Sequence, residues 1–519
     1  MAGCQSLNRP EEDPVEPYPH PVSGRDDFAA SRACLEQMVA RLSDAQMMAC
    51  TQHLLEEYVT TAGRELQRQL MQDQLDARAA REQRCGQVAG ADGVARTRAE
   101  TGHRRLVATT VGQVEVNRIA YRAPGAPNLH PADAQLALPQ RLYSFPLQRQ
   151  VVHEAAAGSL RAARQAIIRA TDQHLGTRQL MQIATEAATD IRDFYQPATG
   201  PHADPAGTDG RDVLVLSIDA TGVNMIPTDL REPPPARPAT PQPPSAQLAR
   251  RERTGRTRMA VVTAIYDAVP APRTAADILP TDAAEHAARQ PGPRATRRRV
   301  DASLEHSVAP MVTALFDQAE ARDPHHRRRW VVLVDGANHQ LECVRQEAER
   351  RGVHIDIIID FIHVLEYLWK AAEDLHTSHN ARAAFVHATA RDLLEGHAPR
   401  VVADLNARLR ARAGDNPAVG LQRAAAYLHA KQPYLNYHIA LALGWPIATG
   451  VIEGCCRYLV KDRLDITGAR WSLNGAEAVL LLRAVITNGD FDQYWKFHLD
   501  REYQRTHASR YKDQFALAA

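Results

Sequence analysis

Two short apolar runs, each closed by an aspartate, set the tightest limit on how this chain can fold. Asp212-Val-Leu-Val-Leu-Ser-Ile-Asp219 and Trp330-Val-Val-Leu-Val-Asp335 read as β-strands. A lone aspartate at a strand end is ordinarily a turn or capping residue. Two of them, on strands that the element order sets side by side, carry more weight. A third acid lies in Thr449-Gly-Val-Ile-Glu-Gly-Cys-Cys-Arg-Tyr-Leu-Val-Lys-Asp-Arg463, which reads as a helix with one basic face. There Ile452, Cys455 and Leu459 share one stripe, while Glu453, Arg457 and Lys461 share another at i, i+4 and i+8. That second stripe is either a solvated charged face or a carboxylate flanked by two phosphate-binding cations. Gly450 and Gly454 permit close backbone approach beside it.

The succession of elements after residue 211 is the next constraint. One strand ends at Asp219, a second covers Arg258 to Tyr266, and a weaker third falls near Ala275 to Leu279. A helix fits Ala302 to Ala321, a fourth strand Trp330 to Val334, and a helix His339 to Arg350. The fifth strand is His354-Ile-Asp-Ile-Ile-Ile359, and a helix begins near Asp360. Strand-strand-strand-helix-strand-helix-strand-helix is the order of the ribonuclease H-like fold. The expected core is a mixed five-stranded sheet with helices, spanning 212–375 and resuming at 441–505. It is interrupted by a flexible basic loop at 227–256, rich in proline and arginine, and by an all-helical insertion at 376–440.

Ahead of this core, residues 1–25 are rich in proline and acids and are expected to be disordered. The stretch 26–100 is mainly helical: Cys34, Met38 and Leu42, then Leu54, Leu55, Val59, Leu66 and Leu70, recur at three- and four-residue steps until glycines 86, 90 and 93. In Arg105-Leu-Val-Ala-Thr-Thr-Val-Gly-Gln-Val-Glu-Val-Asn-Arg-Ile-Ala-Tyr121 two β-rich runs flank Gly112, a hairpin signal. Leu147 to Tyr195 returns to short helices, with Ser159 and Thr177 as N-caps. The span 101–200 thus reads as a β-hairpin plus a helical DNA-binding region, although short helical bundles carry the same pattern. Residues 196–211 form a linker and 506–519 a C-terminal tail.

Composition narrows the partners. The chain has 519 residues, 44% of them hydrophobic, enough for several cores. A net charge of +1 confines any nucleic-acid surface to a local patch. Cys4, Cys34, Cys50, Cys85, Cys343, Cys455 and Cys456 offer no zinc spacing and suggest free thiols in a reducing compartment. With no stretch near 18 apolar residues, a soluble, cytoplasmic protein without membrane contact is expected.

Three converging carboxylates suit phosphodiester chemistry, because a pair of divalent ions about 4 Å apart can activate the nucleophile and stabilise the leaving oxygen, and hard cations take carboxylate oxygens. Two further signals are less decided. In Asp360-Phe-Ile-His363 the two side chains share a helix face. Asp360 is either a plain N-cap with His363 in the first turn, or the two are a supporting pair beside the metal site. In Asp465-Ile-Thr-Gly-Ala-Arg470-Trp471 the Arg–Trp pair either anchors into the core or stacks on a base and holds a phosphate.

These residues resemble the DDE transposases of bacterial insertion sequences, most closely the Kra-type group, over much of 100–505. The resemblance rests on Thr109-Thr-Val-Gly-Gln-Val-Glu-Val-Asn-Arg118, Ser217-Ile-Asp-Ala-Thr-Gly-Val-Asn-Met225, Val334-Asp-Gly-Ala337 and Asp360-Phe-Ile-His-Val-Leu-Glu-Tyr-Leu-Trp369. Its most specific block runs from Pro446-Ile-Ala-Thr-Gly-Val-Ile-Glu-Gly-Cys-Cys-Arg457 to Gly468-Ala-Arg-Trp471. Where the family has Ser-Gly before the third acid, this chain has Thr449-Gly450. The resemblance implies a catalytic and metal-binding triad of Asp219, Asp335 and Glu453, with Asp360 and His363 in support. It implies two Mg2+ ions, replaceable by Mn2+, and double-stranded DNA partners: the element's terminal inverted repeats and target DNA. Arg457, Lys461, Arg463, Arg470 and Trp471 are the expected DNA contacts, and a homodimer or larger synaptic complex the expected assembly. The alternatives are a ribonuclease H-like nuclease without strand transfer and a domesticated, non-catalytic DNA-binding protein.

Overall fold

A computed structural model describes residues 26–196, 212–230, 256–412, 418–466 and 468–512. The expected disordered N-terminus, the linker after Gln196, most of the basic loop at 227–256 and the end of the tail lie outside these. The chain forms two compact units, one from residues up to Ser144 together with those from Ser509, the other Phe145–Ala508. The boundary cuts the expected 101–200 region, leaving the hairpin in the first unit and the short helices in the second.

In the first unit, helices α1 (Ala29–Leu42) and α2 (Gln52–Arg81) precede an antiparallel sheet of β1 (Arg98–Thr109), β2 (Gly112–Ala123) and β3 (Ala126–Leu129). The expected hairpin forms, turning at Thr110–Val111, with Gly112 paired to Thr109 as the first residue of β2. Gln72 of α2 pins the helix to the sheet by exchanging hydrogen bonds with both main-chain groups of Glu115, at 2.9 and 2.8 Å.

The second unit opens with α3 (Phe145–Ala157), α4 (Leu160–Thr171) and α5 (Thr177–Ala188). Ser159 caps α4 through its side chain, as expected. Thr177 does not cap α5: Gly176 holds that position, its N–H taken by the Gln179 side chain at 2.8 Å, so Thr177 is the first helical residue.

The sheet of this unit is mixed and five-stranded. Its strands are β4 (Val213–Asn224), β5 (Thr257–Ala268), β6 (Ala295–Ser303), β7 (Trp330–Val334) and β8 (Ile355–Ile359). They lie in the order β8-β7-β4-β5-β6. The pairs β4–β5 and β5–β6 are antiparallel; β4–β7 and β7–β8 are parallel. Three expectations change here. The first strand does not end at Asp219 but continues to Asn224, because Ala220 to Asn224 find partners in Thr257 to Val261. Residues 275–278 form a helical turn rather than the third strand, since the Asp277 carboxylate takes the Thr274 N–H at 2.7 Å and caps it. The third strand is β6, which uses Ala302 and Ser303, so the following helix starts at Val308.

Helices α6 (Val308–Arg322), α7 (Asn338–Arg351) and α8 (Phe361–Leu375) alternate with the last strands. Then α9 (His379–Leu394), α10 (Ala398–Ala411), α11 (Val419–Lys431) and α12 (Tyr437–Ala442) fill the expected insertion. The chain returns as α13 (Gly450–Cys455), a π-helical turn (Cys456–Lys461), α14 (Leu473–Thr487) and α15 (Phe491–Thr506). Both sheet faces are covered, which explains the near-continuous apolar runs of β4 and β7. Leu214, Leu216, Val331, Leu333, Phe316, Val344 and Leu368 form a core that extends into α9–α12. Val262, Ala264 and Ala302 pack on Ile452, Leu459 and Val479. Among the described residues, no helix is long and apolar enough to cross a membrane.

Candidate active site

Strand register brings the first two acids level. In the parallel β4–β7 ladder Ile218 pairs with Val334, so the next residues along, Asp219 and Asp335, stand one strand apart, a spacing of about 4.8 Å between neighbouring strands. Asp219 is half-buried; one carboxylate oxygen accepts the Ala220 N–H at 2.6 Å and the other the Cys456 thiol at 3.4 Å. Burial pushes its pKa above the ordinary carboxylate value; the two donors and the Lys461 charge oppose this, and the Asp335 charge adds to it. Burial also raises the Cys456 thiol, with Asp219 adding to the effect, so this group is a neutral donor. Asp335 lies in the turn between β7 and α7, its carboxylate accepting the Ala337 N–H at 2.9 Å, and its main-chain carbonyl accepts the Tyr427 hydroxyl at 2.7 Å.

Asp360 has a defined duty. Its N–H continues the ladder to the Val334 carbonyl at 2.8 Å, and its side chain is only 3% exposed. The carboxylate takes the N–H groups of Ile362 and His363 at 3.2 Å and of Thr449 at 3.0 Å. It is therefore the N-cap of α8 and also the latch on the start of α13. A second bond, Phe361 N–H to the Ile447 carbonyl at 2.9 Å, doubles that latch. Asp360 is thus the N-cap that its position allows, and the consequence for Glu453 is positional. His363 stands edge-on to Tyr367 and Tyr427, with ring centroids 5.4 and 5.9 Å away.

Glu453 is exposed on α13, where its carboxylate accepts the Thr449 hydroxyl at 3.2 Å. The straight stripe of Glu453, Arg457 and Lys461 is not realised, because the helix widens to π geometry after Cys455 and shifts to an i, i+5 period. All three side chains are nonetheless exposed. Arg483 stabilises the widened turn, donating to the carbonyls of Tyr458, Leu459 and, on α3, Ala156. Cys456, the first residue of this turn, donates to Asp219, so the third-acid segment touches the first acid directly.

Two expected DNA contacts are interior instead. Arg463 is 3% exposed and Trp471 7%. The guanidinium lies 4.7 Å from the indole centroid and donates to the Ala155 carbonyl at 2.9 Å, while the indole N–H donates to the Leu464 carbonyl at 3.0 Å. Burial pushes the Arg463 pKa down to about 10. The pair anchors α3 to the third-acid segment and cannot reach a duplex. Arg457, Lys461 and Arg470 remain exposed. Among the short helices, α5 buries Leu180, Ile183, Ala184, Ala187 and Ala188, and α4 presents an open basic face, with Arg161, Arg164, Gln165 and Arg169 all exposed. The spacing of these four places them on one side of the helix.

Among the described residues, one trio of His, Cys, Asp or Glu brings its ligand atoms within 4.8 Å of one another: Asp392, Glu395 and His397. Its carboxylates are already engaged by Arg400 and Arg391. Asp219, Asp335 and Glu453 do not form such a trio. The residues that sequence reasoning missed are Cys456, Tyr427, Lys431 and Arg483. Only Cys456 carried a signal, as the residue next to the apolar stripe. No protein-family model and no curated protein matches the chain.

Proposed function

We propose that this chain is a DNA transposase of the Asp-Asp-Glu type, which binds the terminal inverted repeats of its element, cleaves at their ends and joins the freed 3′ hydroxyl to target DNA. The observation that carries this reading is the level placement of Asp219 and Asp335 on neighbouring parallel strands, with the segment bearing Glu453 held against Asp219 through Cys456. Supporting it, the order β8-β7-β4-β5-β6, with an antiparallel meander on one side and two parallel strands on the other, fits a ribonuclease H-like core.

The donor set fits a hard divalent cation. Burial raises the Asp219 pKa and repulsion from Asp335 adds to it, and a bound cation relieves both. In this reading Asp219 and Asp335 hold a pair of Mg2+ ions, or Mn2+ in their place, and Glu453 completes the second. When bound, such ions activate the attacking oxygen and stabilise the leaving one. The protein's own part is to aim the acids: the β4–β7 ladder sets two of them, and Asp360 with Cys456 sets the segment of the third. Exposed Arg457, Lys461 and Arg470 bind backbone phosphates, and α4 lies against the duplex. Cutting two ends together calls for a dimer or larger synapse.

The test replaces Asp335 with Asn. The variant should still shift inverted-repeat DNA in a gel while losing magnesium-dependent end cleavage; retained cleavage removes Asp335 from the triad. Strand transfer from a precleaved end separates a transposase from a plain nuclease.

A further inference from the structure

The helical insertion reaches back to the second acid. Tyr427 and Lys431 sit one turn apart on α11, on the same face. The Tyr427 hydroxyl donates to the Asp335 carbonyl at 2.7 Å, and its ring stacks on Tyr367 of α8 with centroids 4.0 Å apart and planes 8° from parallel. The stack holds the hydroxyl in place, because neither ring can turn without breaking it. Gly336 completes the fit: its φ is +88°, and a Cβ there would come within 2.7 Å of the Tyr427 hydroxyl and 3.1 Å of Ile359. Lys431 is only 5% exposed, and its ammonium donates to the Asn338 side chain, on the first residue of α7. Burial lowers its pKa, and the Asp335 charge opposes that. Thus two side chains of one helix fasten both sides of the Asp335–Asn338 turn.

We infer that Tyr427 and Lys431 are positioning residues for Asp335, and that the insertion serves to aim the second acid of the candidate metal site. The inference rests on the reading of Asp219 and Asp335 as metal ligands. A carboxylate whose own carbonyl is held by a fixed hydroxyl has one backbone orientation to offer; with the hydroxyl gone, the turn can rotate the ligand away. Groups of this kind, one bond removed from a ligand, commonly change metal affinity by roughly 10- to 100-fold. The competing view makes both residues plain packing anchors, in which case their loss lowers stability and leaves metal affinity alone.

The experiment titrates the full chain with Mn2+, free ion being read by electron paramagnetic resonance, for wild type, Tyr427→Phe, Lys431→Met, Lys431→Arg and Asp335→Asn. Tyr427→Phe keeps the ring stack and Lys431→Met keeps the bulk. Each is expected to weaken Mn2+ binding about 10-fold with an unchanged circular dichroism spectrum, and Lys431→Arg to recover most of the loss. Wild-type affinity in Tyr427→Phe or Lys431→Met, with binding lost in Asp335→Asn, overturns the role of that residue and leaves the metal site standing. Wild-type affinity in Asp335→Asn overturns the metal site and this inference together. Should Lys431→Met fail to fold, Tyr427→Phe decides alone.

Discussion

Replacing Asp360 tests how the third acid is held. Its carboxylate receives N–H groups from Ile362 and His363 at the start of α8 and from Thr449 at the start of α13. Removing an N-cap side chain costs about 1 kcal/mol, and a buried N–H left without an acceptor costs about 1–3 kcal/mol more. Asp360→Ala should therefore destabilise the junction by about 2–4 kcal/mol. Asp360→Asn keeps one oxygen and turns an NH2 toward a donor, so it should lose about 1–3 kcal/mol. Because Thr449 is also bonded to Glu453, this loss falls on the α13 start more than on the sheet. Hydrogen exchange followed by mass spectrometry reads it locally. Peptides from the 445–456 stretch carry the Thr449 share of about 1–3 kcal/mol and should exchange roughly 5- to 140-fold faster in Asp360→Ala, from 1.4 kcal/mol per factor of ten, while β4 peptides exchange as in wild type. Wild-type exchange at 445–456 in a folded Asp360→Ala protein refutes the latch.

The first acid predicts a trade of stability for chemistry. Burial and Asp335 raise the Asp219 pKa, so its contribution to stability is fully present below the unfolded-state pKa and is lost as pH rises through the higher folded-state pKa. Metal-free Asp219→Asn should thus melt above wild type at neutral pH, with the gain vanishing in acid, and Mg2+ should raise the melting temperature of wild type alone. A lower melting temperature at neutral pH would contradict this account. On α4, replacing Arg161, Arg164 and Arg169 with Ala should weaken duplex binding and reduce the slope of log affinity against log salt by about 3, near 0.9 for each phosphate no longer neutralised, as read by fluorescence anisotropy. An unchanged slope moves the duplex to another surface.

What was legible in the sequence follows from how local each determinant is. The run Trp330 to Val334 matches β7 end to end, since a short apolar segment between turn residues has few other fates. The third strand was misplaced because Ala275 to Ile278 and Ala295 to Ser303 compete as strands on residue type alone; the Thr274–Asp277 cap decides between them, and the arginines of β6 obscure its pattern. At Asp360 the N-cap is legible from the local sequence, whereas the tertiary partner, Thr449, lies 89 positions away. Arg463 and Trp471 carried an interface-like composition, yet their burial depends on α3 supplying the Ala155 carbonyl, 308 positions earlier.

The π-helical turn governs how the third-acid segment presents its charged side chains. A regular helix from Gly450 to Leu464 would carry Glu453, Arg457 and Lys461 on a single stripe, the pattern read from spacing. Within the widened turn Arg483 donates to the carbonyls of Tyr458 and Leu459. At the start of the widened turn Cys456 approaches Asp219. A π-turn inside an α-helix is rare, and such turns recur at functional sites. Here the outside donor is a single arginine that also holds the Ala156 carbonyl of α3. The placement of the third-acid segment against the first acid therefore depends on Arg483, a residue with no motif of its own, and the geometry of the candidate site is written partly in side chains that never face it.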